Sequence, residues 1–156
     1  MIVANETGHA GELVTRELDR SEMEELLARN AVGRIAFTFR DRVDIVPIAY
    51  AYDGQWIYCR TAEGHKHEVL RHNPWVAFEV DEVDGPFAWR SVIAHGAVCV
   101  LADDAPPIER AAYRRALALL GESIPGAFGE DDPTPDRQVL FRISAAELTG
   151  REAARR

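Results

Sequence analysis

The sequence predicts a mainly β (α+β) fold: an antiparallel sheet of six strands closed into a small barrel, with helices at its rim. Three observations predict it. Short apolar runs recur along the chain, each bounded by turn residues. Asp53-Gly54 separates two of these runs, Ile48 to Tyr52 and Trp56 to Cys59. An Asp-Gly pair in that setting is the strongest short hairpin signal, because both central turn residues need positive φ. The three helical patterns do not alternate with strands as βαβ units do, which disfavours a doubly wound parallel sheet. Closing an antiparallel sheet also removes its exposed edges.

Residues 1–17 show no periodicity and read as an N-terminal arm or a short edge element. Ser21 and Glu24 have the spacing of a capping box, and Met23, Leu26 and Leu27 then form a helical stripe that stops near Asn30. Gly33 to Arg40 is the first strand, Asp41-Arg42 a turn, and Val43 to Tyr52 the second strand. Pro47 interrupts that strand. It cannot donate to a ladder, so it implies an edge, a bulge, or a place where something other than a strand lies alongside.

The third strand, from Trp56, ends in a polar elbow that opens a helix over about 63–72, stopped by Asn73-Pro74. Trp75 to Val80 is a fourth strand, Asp81 to Pro86 an acidic turn, and Trp89 to Leu101 a long fifth strand in which Gly96 suggests a bend. Pro106-Pro107 starts a third helix, ended by Gly121. Residues 121–137, rich in Gly, Pro and Asp, form a loop longer than most in compact domains. Gln138 to Ser144 is the last strand, followed by a frayed polar tail.

The 156 residues fit one domain with a substantial core. Eighteen basic against 26 acidic residues give a formal charge of −8, with no basic cluster, and Lys66 is the only lysine. That balance argues against a nucleic-acid partner. Glu6, Glu12 and Glu17 among the early residues do not make a signal peptide, and no apolar run reaches membrane-spanning length. Cys59 and Cys99 lie on separate predicted strands without metal-type spacing and read as reduced thiols. A cytoplasmic protein is expected.

Familiar catalytic and metal motifs are missing. His65, His67 and His72 lack a completing Cys or carboxylate, so no metal site is expected. The acidic Asp81–Asp84 stretch lacks EF-hand spacing. No GxSxG elbow, Walker loop or dinucleotide fingerprint occurs. What remains is the elbow itself. Arg60, Thr61, Lys66 and the free N–H groups of a new helix gather within a few residues, as an anion such as a phosphate requires.

Six motifs in order then acquire a common meaning: Gly33 to Phe37, Val46 to Tyr50, Tyr58 to Lys66, Leu70 to Pro74, Val76 to Asp81 and Trp89 to Gly96. Together they resemble the pyridoxamine 5′-phosphate oxidase-like flavoproteins, most of all the branch that includes nitroimidazole-resistance proteins. Residues 18–148 carry the resemblance, leaving 1–17 as the arm and 149–156 as the polar tail. It implies a split β-barrel homodimer with FMN in each of two clefts between subunits. By the same resemblance Val46, Pro47 and Ile48 line the isoalloxazine, while Arg60, Thr61, His65 and Lys66 hold the phosphate. Trp89 and Ser91 arrive from the partner subunit. The arginine-and-proline motif with which true pyridoxamine phosphate oxidases grip their substrate is absent from the end of this chain, ELTGREAARR.

Two function classes follow. One is an FMN-dependent oxidoreductase acting on a small, flat substrate, for which no acid or base can be named. The other is a binding protein that holds FMN, haem or a deazaflavin for storage, sensing or transfer without turnover.

Overall fold

The apolar runs build eight strands, six of which form the expected barrel. The computed structural model describes residues 11–156; residues 1–10, with most of the expected arm, and the side chain of His65 lie outside the described residues. The elements are β1 (Leu13–Glu17), α1 (Arg20–Arg29), β2 (Val32–Phe39), β3 (Arg42–Tyr52), β4 (Trp56–Thr61), α2 (His65–His72), β5 (Trp75–Gly85), β6 (Ala88–Leu101), α3 (Pro107–Ser123), β7 (Val139–Ser144) and β8 (Leu148–Arg155). Neighbours follow the order β1-β8-β6-β5-β2-β3-β4-β7, and a further β6–β7 pairing closes the six inner strands into an antiparallel barrel.

Two strands change partner along their length, and that is what splits the barrel. Residues 89–94 of β6 pair with β8, and residues 98–101 pair with β7. Gly96 stands at the fork, where a Cβ would lie 3.0 Å from the Ser144 carbonyl oxygen. On the far side, residues 42–49 of β3 pair with β2 and residues 50–52 with β4. The other edge of residues 42–49 therefore has no partner strand among the described residues.

The inward-facing residues of the barrel, among them Ile35, Tyr50, Phe78 and Ile143, meet Leu26 and Leu27 of α1. Each of these leucines is fully buried, worth about 1.5–3 kcal/mol apiece. The Tyr50 hydroxyl fixes α1 by donating to the Leu27 carbonyl at 2.6 Å. A second cluster lies outside the barrel, where Ala112, Ala116 and Leu120 of α3 cover Tyr58 and Leu140.

Several expectations are corrected. The tail is not frayed: residues 149–156 supply most of β8, which pairs with both β1 and β6. Its alternation was hidden by small and charged residues. The helix-capping box is Asp19/Glu22 rather than Ser21/Glu24, with both reciprocal bonds at 2.9 Å. Arg16 selects that register by clasping the Glu22 carboxylate at 2.7 and 2.9 Å.

The turn with two positive φ values is Arg40-Asp41 (49° and 61°), one residue earlier than expected, whereas in the Asp53-Gly54-Gln55 loop only Gly54 is positive (95°). Asp53 acts there through its carboxylate, which accepts the N–H groups of Gln55 and Trp56 at 2.9 and 2.7 Å. Asp81 to Gly85 continue β5, leaving Pro86-Phe87 as the turn. Helix α3 runs past Gly121 to Ser123, because that glycine keeps helical geometry and the chain turns only at Ile124.

Candidate functional site

Pro47 lies on the unpaired edge of β3. The Tyr50 N–H reaches the Ala31 carbonyl of the β2 side at 3.0 Å. Backbone groups alternate along a strand, so residue 47, three positions earlier, turns its nitrogen away from β2. The proline thus removes no ladder hydrogen bond and lines an open edge. Its ring is exposed, whereas Ile48 is buried in the core and the partly buried Val46 packs against it. Both share the parity of Tyr50, so their backbone groups face β2, and the open edge is presented by the backbone of Ile45, Pro47 and Ala49.

At residue 50 β3 passes to β4, and β4 leads into the elbow and α2. Gly64, the N-cap of α2, has φ 154° and supplies no side-chain acceptor to the first turn. Lys66, in that first turn, is half-buried and has no ion-pair or hydrogen-bond partner among the described residues. Burial, and then the charge of Arg137, lower the pKa of its ammonium. Thr61 is buried at the end of β4, opposite Val139 of β7.

Arg60 is differently placed. Its guanidinium is 3% exposed and forms a bidentate pair with Asp132, at 2.6 and 3.0 Å. It also donates to the Thr134 hydroxyl at 2.9 Å and stacks 5.0 Å from the Phe128 ring centroid. Much of the fork is engaged with the 124–138 loop. Asp132 in turn accepts the N–H groups of Phe128 and Thr134 at 2.9 Å, and the Arg60 contacts hold its carboxyl well below the usual carboxylate range.

Trp89 and Ser91 lie elsewhere. They are on β6, three strands from β3 by either route round the barrel. With Met23, Ile93, Leu148 and Arg151 they border a groove of about 540 Å³. Ser91 donates to Glu79 at 3.2 Å. The chain thus brings Val46, Pro47, Ile48, Arg60, Thr61 and Lys66, with the backbone of His65, to one side, and leaves Trp89 and Ser91 on another.

The two sides are joined by an uncovered sheet face. Val43 and Ile45 of β3 and Trp75 of β5 are 70%, 63% and 70% exposed. Val43 and Trp75 share a concavity with Ala36, Ala77 and His95, and Ile45 pairs with Ala36. The sequence reading missed this face, as well as Asp132 and Arg137. Trp75 looks like any strand-opening aromatic until its neighbours are known. Asp132 and Arg137 sit in a stretch without periodicity.

A model of the pyridoxamine 5′-phosphate oxidase family matches residues 19–152. The chain belongs to this family. Within its fold, the chain is similar to an FAD-binding protein of Mesorhizobium loti, at 30% identity and a TM-score of 0.73, covering 90% of this chain and 99% of that one. It is 28% identical over 151 residues to an uncharacterized protein of Rhizobium meliloti, covering 90% of this chain and 97% of the relative. A 5-nitroimidazole antibiotic resistance protein of Bacteroides thetaiotaomicron shares the fold at 17% identity, with a TM-score of 0.68 and coverage of 93% and 91%. This chain closes six strands into an antiparallel barrel and adds two, consistent with a split barrel. No helix among the described residues is long and apolar enough to cross a membrane.

Proposed function

We propose that the chain binds a flavin nucleotide, FMN in the first reading, in a cleft between two copies, and that it passes electrons between the flavin and a small, flat substrate. The observation that carries the reading is the β3 edge at Pro47, open among the described residues, running beside an elbow whose Lys66 has no counter-ion among them. The free backbone groups of that edge suit the polar rim of a flat ring system. Lys66, Thr61, the residue-65 position and the start of α2 suit a phosphate. In this reading Arg60 acts from behind the site, through the loop it holds.

The dimer is part of the proposal. A barrel of this size is filled by its own side chains, so a tricyclic ring must lie outside it. Val43, Ile45 and Trp75 form an apolar sheet face that a second copy would cover. That copy would bring its own Trp89 and Ser91 to the cleft. The bound flavin would supply the redox chemistry, and the protein its orientation and shielding from water.

A second reading, FAD, is favoured by the Mesorhizobium loti relative, described as FAD-binding. FAD carries the same phosphate on its ribityl chain. The absorption spectrum of the purified protein, with the mass of what denaturation releases, decides between FMN, FAD, deazaflavin and haem. The phosphate is tested by titrating apo-protein with FMN and riboflavin. Charge-assisted contacts are worth about 1.5–3 kcal/mol each, so riboflavin is expected to bind at least tenfold more weakly. Equal affinities would overturn the phosphate assignment. Reduction by a nicotinamide cofactor and reoxidation by an added acceptor separate an enzyme from a carrier.

A further inference from the structure

We infer that Arg137 is a further cationic contact for the phosphate-bearing end of the ligand, and that the buried Arg60–Asp132 pair serves to seat it. The ligand's identity rests on the flavin-nucleotide reading above; the geometry does not.

Three links in the chain place Arg137 at the elbow. Thr61 at the end of β4 pairs with Val139, the first residue of β7, so Arg137, two residues before it, lies near the chain that leaves β4 for α2. The turn that delivers it is tight, with Arg137 N–H donating to the Thr134 carbonyl at 3.1 Å and Gln138 N–H to the Asp136 carbonyl at 3.0 Å. Thr134 is itself the fixed point. Its hydroxyl accepts from Arg60 at 2.9 Å and its N–H donates to Asp132 at 2.9 Å. Arg60 to Asp132 and Thr134, then through one turn to Arg137, is a continuous path from the core to the mouth of the elbow.

The charges at the end of that path are unbalanced. Arg137 is exposed, and like Lys66 it has no carboxylate or hydrogen-bond partner for its side chain among the described residues. The two cations are close enough for Arg137 to depress the Lys66 ammonium. Like charges held together without an anion repel, and a phosphate would relieve that repulsion. The neighbouring Arg60 is neutralised within the fold, so it is not the residue that answers the ligand.

The test compares FMN and riboflavin binding to the apo-forms of the whole chain and its variants. Arg137→Ala is expected to weaken FMN about tenfold or more while leaving riboflavin within about twofold. An unchanged FMN-to-riboflavin ratio in Arg137→Ala would overturn the contact. Replacing the ion pair by apolar residues, Arg60→Met with Asp132→Leu, leaves no unpaired buried charge and so is compatible with folding. This double variant is expected to lose FMN preference as Arg137→Ala does, and adding Arg137→Ala to it should cost nothing more. Additive losses would overturn the seating role. Should the double variant not fold, Thr134→Val removes only the hydroxyl link and is read the same way.

The geometry is also tested without flavin. Lys66 is the only lysine, so reductive methylation with 13C-formaldehyde gives one lysine signal whose titration NMR can follow. Arg137→Ala should raise the Lys66 pKa, and an unchanged titration overturns the juxtaposition itself. A wild-type chain that binds both flavins equally, with that NMR shift present, would instead overturn the choice of ligand.

Discussion

Arg60 and Asp132, 72 residues apart in sequence, face each other through two hydrogen bonds of 2.6 and 3.0 Å in the interior of the fold. The pair fastens the 124–138 loop to the end of β4. The hydrogen bonds from Arg60, opposed by burial and assisted by the N–H groups of Thr134 and Phe128, lower the Asp132 pKa below its ordinary 3.8. A carboxyl with a depressed folded-state pKa stabilises the fold above its unfolded pKa and loses that contribution as pH falls. Asp132→Asn should therefore lower the melting temperature at neutral pH, and the gap from wild type should narrow below about pH 4. Melting curves from pH 3 to 7 check this, and a gap independent of pH would contradict it.

Burial and a neighbouring cation both work against the charge of Lys66. With Arg137 as that cation, the folded apo-protein gains nothing from the charge at neutral pH. Lys66→Met should leave the apo melting temperature unchanged or slightly raised, while FMN affinity falls about tenfold or more and becomes less salt-dependent. Differential scanning fluorimetry with a flavin titration separates the two effects.

The uncovered face predicts its own variant. Ile45→Asp puts a charge among Val43, Trp75 and Ala36 without touching the core. Light scattering should show a folded monomer, and the flavin should be lost with the dimer, because each stabilises the other by mass action. Stoichiometric flavin on that monomer would remove the cross-subunit cleft.

Two glycines should respond differently to alanine. At Gly33 a Cβ would meet the Phe78 ring at 2.5 Å and the Glu79 carbonyl oxygen at 2.8 Å, neither free to move. Gly33→Ala should cost about 1–3 kcal/mol, or several degrees in melting temperature. At Gly150 the nearest atoms are the Met23 Cγ and Sδ, at 2.8 and 2.9 Å. A thioether chain can swing aside, so Gly150→Ala should cost less.

The barrel strands were legible because their alternation reflects an inside and an outside, as in Ile35 and Phe37 of β2 or Phe78 and Val80 of β5. The elbow was legible because Arg60, Thr61 and Lys66 beside a helix start lie within a few residues of one another, which is a local feature. β8 was not, since Thr149, Gly150 and Arg151 give no apolar period and its place depends on β6 and β1 lying on either side. Nor could sequence show that Arg60 faces inward. That depends on Asp132 arriving from a loop whose path is set by the ion pair itself.

The strand that forks at Gly96 also sets an order of assembly. β6 needs β8 along one half and β7 along the other, and both follow it by some forty residues of helix and loop. As the chain leaves the ribosome, β2 to β6 can pair while β4 and β6 still expose unmatched edges. Those edges are the sites where a half-made chain would pair with another. The seam closes only when residues 139–155 emerge, so a premature stop in α3 would leave an open, adhesive sheet rather than a smaller barrel.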